Sequence, residues 1–234
     1  MTDLFAAPQT PRVAVRGGAT FPVRRIFCVG RNFADHAREM GAAAPASKSE
    51  RGQPVFFHKP ADALVTGNRD VPYPPGTRDL HHEVELVAAI GRDAPDGTLD
   101  RETAATLVVA YGVGLDLTRR DLQAAAKAKG LPWDTGKGFD HSAPISELIP
   151  VAQVADLDAL TLTLHVNGEQ RQRGALSDLI WDVPDILIEL SRLYALKAGD
   201  LVYMGTPAGV AALQVGDRFE ADLGGMVQLS GAIV

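Results

Sequence analysis

Short apolar segments alternate with glycine and proline along most of the chain, a pattern that predicts many strands and few helices. Strands are predicted at Arg24–Gly30, at Pro54–Lys59 and in two mostly buried runs, VELVAAIG and LVVAYGVGLD. The stretch Leu160–Gly168 alternates apolar and polar residues and ends in Asn-Gly, a dipeptide typical of hairpin turns, and the C-terminal residues show the same hairpin pattern. The order of the elements predicts an α+β fold and not a series of βαβ units.

Three segments have the features of helices. The first, NFADHAREM, begins at Asn32, a favourable N-cap residue with an acidic residue three positions later. The second, TRRDLQAAAKAKG, has Thr118 as its predicted N-cap and Gly130 as its stop. The third, Val183–Leu196, carries apolar residues at helical spacing, Leu193 among them, and is expected to pack against the core.

The segments between these elements differ in expected stiffness. Ala42–Gly52 is built of small and polar residues and is predicted to be a mobile loop. Arg69–Asp79 contains three prolines that restrict its backbone, so a stiffer loop is expected there. Residues 1–23 are expected to form an N-terminal arm, and residues 24–234 a single domain.

Composition narrows the class of protein. The chain has 234 residues, of which 46% are hydrophobic and 22% charged, as in ordinary globular proteins. A net charge of -6 disfavours nucleic-acid binding. No apolar stretch approaches the length of about 20 residues that spans a bilayer, and the first residues do not resemble a secretory signal. A cytoplasmic protein without a membrane partner is therefore expected, and its single cysteine, Cys28, is expected to be a small buried residue.

Three acidic residues are candidates for a metal site. Glu83 and Glu85 lie on one face of a predicted strand because side chains alternate along a strand. A buried pair of carboxylates requires partners, whereas a solvated edge strand does not, and alternation alone leaves both possibilities open. Asp116, at the end of another apolar run, adds a third carboxylate. Such a set could hold a hard divalent cation such as Mg²⁺.

A histidine and a glutamate on the first predicted helix suggest acid–base chemistry. His36 and Glu39 are spaced i, i+3 and therefore share a face of that helix. A carboxylate beside an imidazole fixes its tautomer and raises its basicity, as a general base that activates water requires. An ordinary surface ion pair has the same spacing, and spacing alone favours that reading.

Six segments, taken in order, resemble the fumarylacetoacetate hydrolase family and cover the chain from about Arg25 to its C-terminus. They are IFCVGRNFADHAREMG, VFFHKPADALV, LHHEVELVAAIG, GLDLTRRDLQ, GLPWDTGKGFDHSAPI and GDLVYMGTPAGV. Within the family, HHEVEL, TRRDLQ and KGFDHSAP are most similar to the fumarylpyruvate hydrolase branch. The resemblance implies an α+β mixed β-sheet roll with flanking helices, a single catalytic domain over residues 24–234, and a homodimer.

The resemblance also implies roles for individual residues. It places the ligands of a divalent metal, Mg²⁺ or Mn²⁺, at Glu83, Glu85 and Asp116. It places the water-activating dyad at His36 and Glu39. The lysine that reaches the substrate falls on Lys137, and pocket-lining residues fall on Arg31, Asn32, Lys59, Arg120, Gln123 and Thr206.

The activity implied is metal-dependent hydrolysis of the carbon–carbon bond of an acylpyruvate, with fumarylpyruvate cleaved to fumarate and pyruvate as the first expectation. One alternative is decarboxylation of oxaloacetate or a related 2-oxo acid, and another is a non-catalytic metal-binding relative. Met204 departs from the family pattern, because a threonine is common at this position, and the departure affects substrate fit more than catalytic competence. His82 and Trp133 are each assigned either to the site or to packing.

Overall fold

The structure is a computed structural model that describes residues 4–39, 41, 45 and 50–234. Over these residues it contains five α-helices and seventeen strands, which confirms the α+β prediction. The helices are α1 (Ala34–Glu39), α2 (Arg101–Leu107), α3 (Arg120–Ala128), α4 (Asp134–Lys137) and α5 (Val183–Ser191). None of these helices, within that part of the chain, is both long and apolar enough to cross a membrane.

The strands are numbered in chain order. They are β1 (Arg12–Val15), β2 (Ala19–Pro22), β3 (Arg25–Gly30), β4 (Val55–Lys59), β5 (Leu64–Val65), β6 (Leu80–His81), β7 (Val84–Ile90), β8 (Val108–Leu115), β9 (Thr118–Arg119), β10 (Ala143–Pro144), β11 (Ile149–Pro150), β12 (Thr161–Val166), β13 (Glu169–Ala175), β14 (Asp200–Tyr203), β15 (Ala212–Leu213), β16 (Arg218–Leu223) and β17 (Val227–Ala232).

A six-stranded mixed sheet forms the centre of the fold. Its order is β11-β8-β7-β14-β3-β4, in which β14 and β3 run parallel and the other neighbours antiparallel. Strand β7 lies inside this sheet, and all seven of its residues are buried. The solvated edge strand that alternation left open is therefore excluded. Burial of both faces also explains why only apolar residues follow Glu85 in β7.

A second, four-stranded antiparallel sheet of order β13-β12-β16-β17 packs against the central sheet through contacts of β12 with β7 and of β16 with β8. The predicted hairpin between β12 and β13 is confirmed. Asn167 and Gly168 both have positive φ, 54° and 80°, as a two-residue hairpin turn of the favoured hand requires. Leu162 and Leu164 are fully buried in the shared core.

The third predicted helix is shorter than expected. Helix α5 begins at Val183, after the N-cap Asp182, whose side chain accepts a hydrogen bond from the Asp185 N–H. The helix ends at Ser191 instead of Leu196. The N–H groups of Leu193 and Tyr194 both bond to the Leu190 carbonyl oxygen, which closes the last turn. Leu193 is consequently 65% exposed and does not pack against the core.

The first two helices begin later than predicted, at Ala34 and Arg120. Asn32 and Thr118 do not cap them, because their side chains form buried hydrogen bonds near the site described below. The predicted mobile loop Ala42–Gly52 lies mostly outside the described residues.

The N-terminal arm contains a hairpin of β1 and β2 that packs on the rest of the chain. Val13 is fully buried, and the Arg16 N–H donates to the Leu148 carbonyl oxygen at 2.8 Å. The Leu148 N–H in turn donates to the Ala14 carbonyl oxygen at 2.8 Å. The boundary between residues 23 and 24 stays a prediction.

Gly114 is expected to be essential for packing beside the candidate site. It pairs with Glu85 across β7 and β8, and a Cβ added to it would lie 2.6 Å from the ring of the fully buried Tyr203. Gly114→Ala should therefore lower the free energy of unfolding by about 1–3 kcal/mol, the usual cost of overpacking. Gly30→Ala is the matched control, because its Cβ would meet no atom closer than 3.6 Å. Equal urea midpoints for the two variants would contradict this prediction.

Candidate active site

Three buried carboxylates meet where β7 begins and β8 ends. Glu83 precedes β7, Glu85 is its second residue, and Asp116 follows β8. Antiparallel pairing of the two strands brings them together, and the Asp116 N–H donates to the Glu83 carbonyl oxygen at 2.8 Å. One carboxylate oxygen from each residue lies within 4.8 Å of the others. We call Glu83, Glu85 and Asp116 the acidic triad.

Lys137 neutralises part of the acidic triad. Its Nζ donates to Glu83 Oε2 at 2.7 Å, to Asp116 Oδ2 at 2.5 Å and to Thr118 Oγ1 at 2.7 Å. Thr118 is held in place because its hydroxyl also donates to the Asp116 carbonyl oxygen at 3.1 Å. The ammonium group is buried and uses all three of its protons in these contacts.

The other oxygen of Asp116 indicates that a cation fits the acidic triad. Lys59 Nζ lies 2.8 Å from Asp116 Oδ1, but its hydrogen bonds go to the carbonyl oxygens of Leu117 and Lys137. Asp116 Oδ1 is thus a buried carboxylate oxygen without a hydrogen bond. Three carboxylates that each offer one oxygen within 4.8 Å of the others form a donor set suited to a hard divalent cation, and the buried Asp116 Oδ1, which accepts no hydrogen bond, agrees with this.

Neighbouring positive charges move the pKa of Glu83 downward. Burial alone would raise its pKa, but the Lys137 ammonium and the Arg120 guanidinium outweigh that effect and hold the pKa of Glu83 well below its usual range. Arg120 donates to Glu83 Oε1 at 2.5 Å. The pKa of Lys137 is raised: burial lowers it, but the adjacent carboxylates of Asp116 and Glu83 dominate. Glu83 is therefore ionised, and Lys137 protonated, at neutral pH.

The pKa of Glu85 moves in the direction opposite to that of Glu83. The pKa of Glu85 is raised well above the ordinary value, first by burial and then by the charges of Asp116 and Glu83. The Gly205 N–H donates a hydrogen bond to Glu85 Oε2 at 2.7 Å. Without a cation, this carboxyl group therefore retains a proton at pH values where a free glutamate is ionised.

Metal affinity is expected to rise with pH because of Glu85. A cation must displace the proton that Glu85 retains, so affinity should increase from the ordinary pKa of 4.5 up to the raised pKa of this group. Calorimetric titration with Mn²⁺ in two buffers of different ionisation enthalpy should detect proton release across that window. The surface variant Glu220→Gln should show the same dependence. Affinity independent of pH throughout the window would contradict the assignment of Glu85 as a ligand.

His36, which pairs with Glu39, lines the same cavity as Glu83 and Glu85 of the acidic triad. His36 Nδ1 lies 3.1 Å from Glu39 Oε2, and the Gly209 N–H donates to both oxygens of that carboxylate at 3.1 and 3.3 Å. The contact at Nδ1 leaves Nε2 of His36 as the nitrogen available for proton transfer. Because His36 is buried, the pair is not the ordinary surface ion pair that spacing alone favoured.

The cavity between these groups has cationic walls. With its mouth it encloses about 380 Å³ of empty space. Its charged and polar lining comes from His36, Glu83, Glu85, Arg31, Arg120, Lys127, Lys137, Gln123 and Thr206, and two aromatic rings complete the wall, those of Phe57 and Trp133. Most of the residues that the sequence assigned to a site are thus brought together here, with Glu39 directly behind His36.

Two of the predicted pocket residues lie behind the wall and not in it. Asn32 is fully buried, and its amide donates to the carbonyl oxygens of Trp181 and Met204 and accepts from the Trp181 N–H. Lys59 is likewise buried against Asp116 and backbone carbonyl groups. In the structure, both side chains therefore support the cavity wall from behind and do not line the cavity. Met204 is fully buried in the core, so its departure from threonine does not change the cavity lining.

Two residues near the site were missed by sequence reasoning. Lys127 lines the cavity four residues after Gln123 on α3, so helical spacing could have identified it. Gln172 lies in β13, and its side-chain amide bonds to groups beside the acidic triad and to Thr206. No local pattern marks Gln172, because these partners are brought together only by the packing of the two sheets.

Comparisons with known proteins identify the family of the chain. The family model described as fumarylacetoacetate (FAA) hydrolase C-terminal matches residues 25–234. Oxaloacetate tautomerase YcgM of Escherichia coli is 41% identical over 88% of this chain and 90% of its own length. The mitochondrial oxaloacetate decarboxylase of Dictyostelium discoideum is 38% identical over 87% of this chain and 90% of its own length.

A solved structure is similar over the whole chain. It is fumarylpyruvate hydrolase from Pseudomonas aeruginosa in complex with Mn²⁺ and pyruvate, which is 44% identical with a TM-score of 0.93 and covers 100% of this chain and 99% of that one. The match of fold and the near-complete match of the family model lead to one conclusion. The chain belongs to the fumarylacetoacetate hydrolase family of enzymes.

Proposed function

We propose that the protein is a metal-dependent enzyme that acts on oxaloacetate, interconverting its keto and enol forms or decarboxylating it through the same enolate. The observation that carries the proposal is a cavity with cationic walls that is lined by His36 of the His–Glu pair and by Glu83 and Glu85 of the buried acidic triad. The names of the relatives from Escherichia coli and Dictyostelium discoideum support this chemistry over the hydrolysis expected first from the sequence.

The charge balance of the site favours a dianionic substrate. The three carboxylates of the acidic triad are matched by three cations in contact with them, Lys59, Lys137 and Arg120. A divalent cation in the triad would leave an excess of two positive charges, to which Arg31 and Lys127 in the cavity wall add. A small 2-oxo dicarboxylate would offset that excess, as oxaloacetate does with its two carboxylates.

The proposed mechanism assigns a role to each side chain. When bound, the divalent cation would polarise the 2-oxo group as a Lewis acid. His36 takes the proton from C3 at Nε2 and returns it to oxygen or carbon, while Glu39 at Nδ1 holds the tautomer that leaves Nε2 unprotonated. Lys137 and Arg120 stabilise the negative charge that develops on the substrate oxygens. Decarboxylation uses the same contacts but does not strictly require the base.

Hydrolysis of fumarylpyruvate is the second candidate, favoured by the relative that contains Mn²⁺ and pyruvate and is similar over the whole chain. In that reaction His36 takes a proton from water, the resulting hydroxide adds to the acyl carbonyl carbon, and the carbon–carbon bond breaks to give fumarate and the pyruvate enolate. The enolate then gains a proton. The two candidates share the pyruvoyl end of the substrate and differ in the requirement for water.

Parallel assays separate the two candidates. The protein is supplied with Mn²⁺ or Mg²⁺, and oxaloacetate and fumarylpyruvate are tested as substrates. Three quantities are measured: the decrease in enol absorbance, the release of pyruvate and the release of fumarate. The proposal predicts that keto–enol exchange or pyruvate release from oxaloacetate is faster than fumarate release from fumarylpyruvate. A comparison of the two metals shows which one supports more activity. Fumarate release from fumarylpyruvate without turnover of oxaloacetate would replace the proposal with the second candidate. No turnover of either would favour the non-catalytic alternative.

The homodimer and the cytoplasmic location expected from the sequence belong to the same proposal. Light scattering on the purified protein would measure the first. The second needs a direct localisation experiment, since the relative from Dictyostelium discoideum is named as mitochondrial.

A further inference from the structure

We infer that Gln172 is a positioning residue that fixes the Thr206 hydroxyl as a hydrogen-bond donor toward a substrate oxyanion. The inference rests on the proposed function only in taking the cavity as the substrate site. Gln172 is 1% exposed and does not line the cavity, so it acts through Thr206, which does.

Four hydrogen bonds hold the Gln172 amide between two parts of the site. Its Oε1 accepts from the Val84 N–H at 3.1 Å and from His82 Nδ1 at 2.9 Å. Its Nε2 donates to Thr206 Oγ1 and to the Pro207 carbonyl oxygen, both at 2.8 Å. The amide thus connects the residues on either side of Glu83 with the loop that carries Thr206.

The two backbone partners settle which end of the amide faces Thr206. The Val84 N–H can only donate, so the group that meets it must be the oxygen of Gln172. The Pro207 carbonyl oxygen can only accept, so the group that meets it must be the NH₂. Thr206 Oγ1 therefore accepts one hydrogen from Gln172, and its own hydrogen has no acceptor among the described residues. That hydrogen is free to point into the cavity.

The loop is seated too closely on β13 for the contact to be incidental. A Cβ on Gly174 would lie 2.7 Å from Pro207 Cβ. Gly209 has a φ of +99°, and a Cβ there would lie 2.2 Å from the Arg171 carbonyl oxygen. The same Gly209 donates its N–H to Glu39, so β13 supports a loop that contacts both the cavity and the His–Glu pair.

Oxalate binding tests the inference without turnover. Oxalate is an inert planar dianion that resembles the pyruvate enolate, and its affinity for the Mn²⁺-loaded protein is measured by calorimetry. The variants are Thr206→Ser, Thr206→Val, Gln172→Glu and the double variant Gln172→Glu with Thr206→Val. A carboxyl group at position 172 has at most one hydrogen for the two acceptors that Nε2 serves, so it should draw the Thr206 hydrogen away from the cavity. Gln170→Glu adds the same charge at an exposed position of β13 and is the matched control.

Thr206→Ser should bind oxalate nearly as well as the wild type. Thr206→Val should weaken binding roughly 10- to 100-fold, as expected for loss of a hydrogen bond to a charged group. Gln172→Glu should weaken binding to a similar extent, but only marginally in the Thr206→Val background, because the two changes remove the same interaction. Mn²⁺ affinity, measured by electron paramagnetic resonance, should stay near that of the wild type in all variants.

Two results would overturn the inference. The first is wild-type oxalate affinity in Thr206→Val. The second is an equal loss of oxalate affinity from Gln172→Glu in the wild-type and Thr206→Val backgrounds, which would show a general effect of charge or packing. If Gln172→Glu does not fold, Gln172→Met replaces it, since methionine keeps the volume and supplies no donor for Thr206. Oxalate results as expected, together with no turnover of oxaloacetate, would reject the proposed function and keep the inference.

Discussion

His36→Ala is expected to lower the rate of oxaloacetate tautomerisation by about 10²–10⁴-fold, the usual contribution of a positioned general base. His36 is the buried imidazole of the cavity, and its contact with Glu39 leaves Nε2 to carry the proton. Because His36 is not a member of the acidic triad, Mn²⁺ affinity should remain near that of the wild type. Stopped-flow measurement of the enol absorbance gives the rate, and electron paramagnetic resonance gives the affinity.

A matched control and a graded variant sharpen this prediction. His165→Ala removes a histidine from β12, outside the cavity, and should leave the rate unchanged. Glu39→Gln keeps a hydrogen-bond acceptor beside Nδ1 but removes the charge, so its rate should fall between those of the wild type and His36→Ala. A His36→Ala protein that retains the wild-type rate would remove the general base from the account.

Glu85→Gln and Asp116→Asn are expected to separate metal binding from stability. Both should abolish detectable Mn²⁺ binding and metal-dependent activity. The metal-free Glu85→Gln protein should be at least as stable as the wild type at neutral pH. Because the pKa of Glu85 is raised in the folded state, the folded state binds this proton more tightly than the unfolded state. Stability is therefore lost as pH rises from the ordinary pKa of glutamate towards the raised pKa of Glu85. The glutamine has no proton to lose.

Asp116→Asn should instead destabilise the protein by about 3–5 kcal/mol, the usual cost of leaving buried charges unpaired. Asp116 is fully buried between the ammonium groups of Lys59 and Lys137, and its removal leaves both with less compensation. Urea unfolding in the presence of a chelator measures the difference, with the exposed Glu220→Gln as control. Equal stability of the two variants would contradict the charge assignment of the acidic triad.

The chemical groups of the site could be predicted from the sequence better than their burial. Alternation placed Glu83 and Glu85 on one face, but alternation gives a face and not the position of a strand in its sheet. Only the pairing of β7 with both β8 and β14 shows that the strand is interior. The same holds for His36, whose spacing from Glu39 is that of an ordinary surface pair until its burial is known.

The wrongly predicted N-caps of the first two helices have a common physical cause. Asn32 and Thr118 have the residue types of helix caps, but tertiary partners use their polar groups: the backbone of Trp181 and Met204 for the first, and Lys137 for the second. Local rules consider only neighbours in sequence and could not include these contacts. The position of Gln172 depends equally on contacts between distant segments, and the sequence alone did not indicate it.

The most direct test of the central claim is the activity on oxaloacetate before and after metal removal. The protein is treated with a chelator, dialysed, and assayed by enol absorbance while Mn²⁺ is added back. The account predicts that catalysis disappears and returns with about one equivalent of metal per chain, and that Glu85→Gln shows no recovery. Full activity in the metal-free protein, or equal recovery by Glu85→Gln, would contradict a cation held by the acidic triad.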